Sequence, residues 1–357
     1  MSSNPSFVLR KPLDLVFEDR PDPKIQDPHS VKVAVKKTGV CGSDVHYYLH
    51  GGIGDFIVKA PMVLGHESAG EVVEVGPEVK DLKVGDRVAL EPGVPSRLSQ
   101  EYKEGRYNLC PCMVFAATPP YDGTLCRHYI IPEDFCVKLP DHVSLEEGAL
   151  VEPLSVAVHC NKLAKTTAQD VVIVFGAGPV GLLAVGVANA FGSSTIVCVD
   201  LVPEKLELAK KFGATHTFVP TKGDSPNESA DKIRALIKGA GLSDSPNVAL
   251  ECTGAEPSIQ TAVSVLATSG RLVQVGMGKD DVNFPITKCI VKEITVLGSF
   301  RYCHGDYPLA VQLVASGKID VKKLVTNRFT FKEAEQAYKT AAEGKAIKII
   351  IDGPEEE

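Results

Sequence analysis

Two textures of apolar spacing divide the chain near residue 155. Before that point, short apolar runs at 31–36, 71–75, 86–90 and 135–139 are broken by glycine and proline. Short apolar-rich runs bounded by turn residues predict strands, and hence a mainly β domain. From residue 170 the texture changes. The run 170–175 is almost wholly apolar, as a strand needs when a parallel sheet is covered on both faces. A helix is predicted over 179–191, stopped by Gly192, then a strand over 195–199 and a helix over 203–212 closed by Gly213. Further helices are predicted at 230–238 and 258–267, with strands at 248–251, 271–275 and 294–297. This series of strand–helix units predicts a doubly wound parallel sheet. The tail, with helices at 307–316 and 332–343 and a strand at 346–351, leaves that order. It is expected to return to the first domain. The expected division is therefore 1–154 with 300–357, and 155–299.

Composition narrows the class. A chain of 357 residues with 44% hydrophobic and 23% charged residues has room for two cores and the make-up of a soluble globular protein. A net charge of −7 argues against a nucleic-acid partner. No apolar run is long enough to predict a membrane-spanning helix, and the first twenty residues lack the apolar core of a secretory signal. Cys136, Cys160, Cys198, Cys252 and Cys289 are read as small core hydrophobes of a reduced, cytoplasmic protein. The acidic end, Glu355 to Glu357, is expected to fray.

Candidate chemistry is densest at two places. Gly176-Ala-Gly-Pro-Val-Gly181 directly follows the buried strand at 170–175 and opens a helix. In that setting Gly176 permits a tight turn and Gly178 lets a pyrophosphate approach the backbone. Gly181 lets the helix pack closely, while the helix start, through Pro179 and Val180, offers free N–H groups. Asp200 closes the next strand, where a carboxylate accepts both ribose hydroxyls and repels a 2′-phosphate, so NAD is predicted over NADP. Lys205 lies five residues on, as a flank for the adenine or as a solvated helix lysine. Val275, Gly276 and Met277 leave a strand at its C-terminal end, where nicotinamide contacts are expected. The second place is Gly65-His66-Glu67 with Cys41-Gly-Ser-Asp44-Val-His46. Thiolate, imidazole and carboxylate are zinc donors, and three of them with one open position make a catalytic site. Spacing leaves open whether Cys41 meets His66.

The Gly-His-Glu stretch with Gly70 and Gly76, the Cys41 segment and Gly85-Asp-Arg-Val88 resemble the zinc-containing medium-chain dehydrogenase family. The likeness covers nearly the whole chain. Glu91-Pro-Gly-Val-Pro-Ser96, Gly105-Arg-Tyr-Asn-Leu109, Ala117-Thr-Pro-Pro120, Glu152-Pro-Leu-Ser-Val156 and Phe300-Arg-Tyr302 look most like its sorbitol/xylitol branch, nearest the fungal xylitol dehydrogenases (D-xylulose reductases). The resemblance implies an α/β Rossmann domain with a mainly β, GroES-like catalytic domain. It also implies a catalytic zinc held by Cys41, His66 and either Glu67 or Glu152, the other acid acting through water. It implies a proton relay through Ser43 and His46, cofactor contacts from Ser299, Phe300 and Arg301, and polyol contacts from Tyr47, Glu152, Arg301 and Tyr302. The family's structural zinc needs four cysteines, and here Ser96, Ser99, Tyr102 and Cys110 occupy those positions. One zinc per subunit is therefore expected, and none in that lobe. NAD-dependent oxidation of a small polyol to a ketose is the implied reaction, by a homo-oligomer, a tetramer before a dimer. Rival readings are an L-arabinitol, threonine or simple alcohol dehydrogenase, or a non-catalytic NAD-binding protein of the lens-crystallin kind.

Overall fold

In the computed structural model the described residues are 3–239 and 244–355. Glu356 and Glu357, two of the three tail acids expected to fray, lie outside the described residues. The chain forms two compact units. One holds the chain up to Glu152 with Cys303–Ala315 and everything from Val321 onward, and the other holds Pro153–Tyr302 and Ser316–Asp320. The boundaries fall at 152 and 302 rather than the expected 154 and 299, and Ser316–Asp320 goes with the second unit. One helix, Val151–Leu163, runs straight through the first boundary, so no linker composition marks it.

The first unit is built on a seven-stranded sheet. Its order is Cys136–Lys138, Arg87–Leu90, Glu67–Val75, Ser30–Gly39, Lys348–Asp352 and Val325–Phe329, and His128–Pro132 pairs along part of Ser30–Gly39. The last strand of the chain lies antiparallel against Ser30–Gly39, pairing Ile350 with Gly39 and Ile351 with Thr38. Period two sets the core: Val31, Val33 and Val35 point together into a cluster with Val72, Val88 and Leu90. A second cluster gathers Phe7, Leu64, Tyr338, Ile349 and Ile351. The β texture concealed a helix, Gly42–His50, closed by Gly51 at φ +76, whose N–H bonds the Tyr47 carbonyl at 2.9 Å. Nine mostly polar or aromatic residues carry too little apolar periodicity to announce it.

The second unit is a six-stranded parallel sheet. Its order is His216–Phe218, Thr195–Val199, Val171–Phe175, Val248–Glu251, Arg271–Gln274 and Thr295–Gly298. Counted along the chain this is 3-2-1-4-5-6, the doubly wound order, and the direction of winding switches between Val171–Phe175 and Val248–Glu251. Both of the first two strands in sequence are buried at every residue, which is why they read as unbroken apolar runs. The helix Pro226–Ile237 starts four residues before the expected 230. Ser225 and Glu228 form a capping box there, and Pro226 takes the first helical position. The strand His216–Phe218 and the helix Ile286–Val291 were not foreseen, being too short to show a period. Among the described residues no helix is long and apolar enough to cross a membrane.

Candidate metal centre and cofactor crevice

In the first unit three segments deliver donors to one point. Cys41 follows the strand Ser30–Gly39 and sits at the N-cap of the helix Gly42–His50. His66 and Glu67 come from the turn that starts Glu67–Val75. Gly65 makes that turn at φ +90, where a Cβ would lie 2.9 Å from Thr38 Cγ2. Glu67 pairs in register with Gly39, and a Cβ on residue 39 would stand 2.1 Å from Glu67 Oε2. Glycine at 39 thus lets the carboxylate lie across the neighbouring strand. The Cys41, His66 and Glu67 donor atoms lie within 4.8 Å of one another. A soft thiolate, an imidazole and a carboxylate so placed fit zinc.

The donors are held from behind. Asp44, fully buried, stands with Oδ1 3.2 Å from His66 Nδ1, and the Tyr338 hydroxyl donates to its Oδ2 at 3.4 Å. Lys348 Nζ lies 2.7 Å from each Glu67 oxygen and 3.2 Å from the Val40 carbonyl, with its side chain 2% exposed. Burial works to lower the His66 pKa, but the charges of Asp44 and Cys41 outweigh it and hold His66 well above its ordinary value. Lys348 behaves alike: burial opposes its charge, and Glu67, Cys41 and Glu152 together raise its pKa. Neither Asp44 nor Lys348 was singled out from sequence. The available signals were an acid inside the cysteine motif and a lone lysine opening an apolar strand, since a buried lysine needs a partner.

The other expected residues of this unit fall around the cluster. Glu152 is buried and outside the set within 4.8 Å, yet near enough for its charge to act on Lys348. Ser43 and His46 share one face of the helix, three residues apart, with His46 exposed and its ring 5.6 Å from that of His50. Among the described residues no hydrogen bond joins Ser43 to His46. Tyr47 is buried in the core with Phe7 and Tyr338. In the lobe, Ser99 accepts the Tyr102 N–H at 3.1 Å and caps the short helix Gln100–Lys103, and Tyr102 packs its ring 6.4 Å from Tyr107. Ser96 accepts the Leu98 N–H at 3.4 Å, Cys110 is buried and Cys112 is exposed.

In the second unit the glycine turn has the shape a dinucleotide needs. Gly176 sits at φ +94, and a Cβ on Gly181 would lie 1.9 Å from the Gly176 carbonyl oxygen. A Cβ on Gly178 would meet nothing within 4 Å, so the space before the helix Pro179–Ala190 is open, and no side chain caps that helix. Uncapped first-turn N–H groups and a positive dipole end are the groups with which a helix start attracts an anion. Asp200 is pinned: Oδ2 accepts the Ala177 N–H at 2.7 Å and Oδ1 the Val202 N–H at 2.9 Å. Lys205 is half-exposed on the next helix. Val275 and Gly276 both donate to the Glu251 carbonyl at 2.8 Å, and Met277 is exposed beyond them. The Ser299 N–H bonds the Gln274 carbonyl at 2.8 Å, the Arg301 guanidinium stands 4.7 Å from the centre of the Phe300 ring, and Tyr302 is buried.

A covered parallel sheet with a nucleotide turn, and a β unit carrying a Cys–His–Glu cluster, define a class: the chain belongs to the zinc-binding alcohol dehydrogenase family. Its models match over residues 27–141 (alcohol dehydrogenase GroES-like domain) and 179–316 (zinc-binding dehydrogenase). Within that class the chain is 56% identical over 358 residues to sorbitol dehydrogenase 1 of Saccharomyces cerevisiae, covering 99% of each. It is 54% identical over 352 residues to the probable D-xylulose reductase A of Aspergillus fumigatus, covering 99% of this chain and 97% of the other. Among solved structures it resembles 2R,3R-butanediol dehydrogenase from Bacillus subtilis, with a TM-score of 0.87 at 32% identity, covering 99% and 100%.

Proposed function

We propose that this enzyme oxidises a secondary alcohol of a polyol to a ketose with NAD, xylitol to D-xylulose and D-sorbitol to D-fructose being the first substrates. The Cys41–His66–Glu67 cluster, in a chain 54–56% identical to a sorbitol dehydrogenase and a D-xylulose reductase, carries the reading. Cys41 and His66, with Glu67 or Glu152, hold one zinc per subunit. When bound, zinc lends Lewis acidity that lowers the pKa of the substrate hydroxyl, and NAD accepts the hydride. Asp44 orients His66, and Lys348 balances the charge of Glu67. Ser43 and His46 carry the released proton outward, His46 being the exposed end. Asp200 accepts the adenosine ribose hydroxyls, while the helix start after Gly178 takes the pyrophosphate. Val275, Gly276 and Met277, with Ser299, Phe300 and Arg301, border the nicotinamide, and Lys205 flanks the adenine.

Polyol hydroxyls pair with Tyr47, Glu152, Arg301 and Tyr302. The lobe carrying Ser96, Ser99, Tyr102 and Cys110 takes no zinc, because its serine and tyrosine oxygens are poor neutral donors for that ion. The enzyme is a homo-oligomer, a tetramer before a dimer. The edge strand Thr295–Gly298, with Ile286, Ile290, Val291 and Val296 exposed beside it, supports such pairing. A cytoplasmic setting accords with the buried free thiols Cys126, Cys136 and Cys198. The test is a panel of xylitol, D-sorbitol, L-arabinitol, L-threonine and ethanol with NAD. Xylitol and D-sorbitol should lead in kcat/KM and ethanol should trail, because buried polar groups would go unpaired against a simple alcohol. Ethanol turning over as efficiently as xylitol would refute the polyol reading.

A further inference from the structure

Glu251 ends the strand Val248–Glu251 at the point where the sheet changes direction, in register with Phe175 on one side and Gln274 on the other. It is fully buried, and no step proposed above uses it. Its carboxylate is not idle. Oε1 accepts the Thr253 N–H at 3.0 Å and the Thr253 hydroxyl. Oε2 accepts the Gly254 N–H at 2.8 Å and the Gln274 amide at 2.7 Å. Gln274 donates in turn to the Gly276 carbonyl at 2.8 Å. A buried carboxylate is tolerated where donors saturate it, and here four do.

What the clamp holds is the wall between the two halves of the crevice. Thr253 Cγ2 would stand 2.8 Å from a Cβ on Gly176, so Thr253 packs against the pyrophosphate turn. Gly254, at φ +69, presses on the other side: a Cβ on Gly276 would lie 2.3 Å from its nitrogen, and one on Gly278 2.0 Å from its oxygen. Three glycines are thus closed around Thr253 and Gly254, and one carboxylate ties that pair to Gln274 of the strand Arg271–Gln274, while Thr253 packs against the turn that leaves Val171–Phe175. We infer that Glu251 is a positioning residue of the cofactor crevice, fixing the spacing between the phosphate turn at Gly176 and the strand end at Val275–Met277. A ligand that reaches both places, a dinucleotide, depends on that spacing. A ligand that stays on the Asp200 side, a mononucleotide such as AMP, does not. The inference rests on the dinucleotide reading of the Gly176 crevice.

The test uses the zinc-loaded enzyme and equilibrium titration at 25 °C with NADH, by its fluorescence, and with AMP, by calorimetry. The variants are Glu251→Gln, which places an amide against the Thr253 and Gly254 donors, and Thr253→Val, which keeps the shape facing Gly176 but removes the hydroxyl. NADH should weaken by about tenfold or more in Glu251→Gln and by less in Thr253→Val, a scale set by hydrogen bonds to a charged group. AMP should hold to within about twofold, below the effect of one such bond. Equal NADH affinity in Glu251→Gln and the parent overturns the inference. So does equal weakening of NADH and AMP, which means general loosening of the unit. If Glu251→Gln does not fold, Thr253→Val decides by the same criterion. A parent enzyme that binds no NADH at all would instead defeat the dinucleotide reading beneath it.

Discussion

The two sites of this molecule are built from opposite materials. The candidate metal centre is made of side-chain charge: Cys41, Asp44, Glu67 and Glu152 against Lys348 and His66, nearly all out of water. The cofactor crevice is made of backbone: the glycines of the turn, uncapped N–H groups, and two carboxylates, Asp200 and Glu251, that mostly hold main chain in place. In the first, each charge is tolerable only because its partner is present, so removing one strands another. In the second, most of the recognising groups survive any side-chain change, and damage comes through displacement. Single substitutions should therefore be severe around the zinc donors and graded around the cofactor.

The largest effect is expected from Lys348→Met, which leaves Glu67 buried without its cation. Breaking a buried pair in this way costs about 3–5 kcal/mol. Denaturant unfolding of the chelated protein should show that loss, and zinc should recover part of it by placing a cation beside Glu67. Unfolding indistinguishable from the parent would mean that the pair contributes nothing. Next comes Asp44→Asn, which weakens the group that orients His66. Zinc affinity, measured by competition with a chelator, should fall about 10- to 100-fold, whereas unchanged affinity would detach Asp44 from the metal centre.

Asp200→Ala is expected to be milder. The ratio of NADP to NAD kcat/KM should rise about tenfold, through loss of the ribose acceptor and of the repulsion toward a 2′-phosphate. A constant ratio would count against the assigned role. The smallest effect concerns Glu91, which accepts the Tyr107 hydroxyl inside the first unit. Burial first, then the charges of Asp306 and Asp134, push its pKa up to about 8 from 4.5, against the opposing Tyr107 bond. The folded chain thus keeps a proton there that the unfolded chain releases. The associated stability is complete below about pH 4.5 and is lost as pH rises through about 8. Glu91→Gln should flatten the fall in stability across that window, and an equally steep fall would exclude Glu91 as its source.

How far each site could be read from sequence follows from the same contrast. The phosphate and ribose side of the crevice lies within a local stretch: a buried strand, a glycine turn, a helix and an acid closing the next strand all fall between 171 and 200. Local order dictates local geometry there, so Gly176, Gly181 and Asp200 could be interpreted before any coordinates. Glu251 could not, because a carboxylate saturated by two backbone and two side-chain donors looks in sequence like any acid at the end of a strand. The metal centre joins residues 41, 44, 66 and 67 to residue 348, across strands that meet only in the folded sheet. Nothing local brings Lys348 to Glu67. Of the elements, the long buried strands and the helix Pro203–Phe212 were legible, whereas Gly42–His50 and Ile286–Val291 were too short to impose a period.

Metal-dependent polyol oxidation is reached directly by one experiment. Purified enzyme is mixed with NAD and xylitol, and NADH is followed by absorbance before chelation, after chelation, and after zinc is restored. NADH formation should be present, then lost, then recovered, with Cys41→Ser inactive throughout. NADH formation that persists at the parent rate after verified removal of the metal would contradict the account.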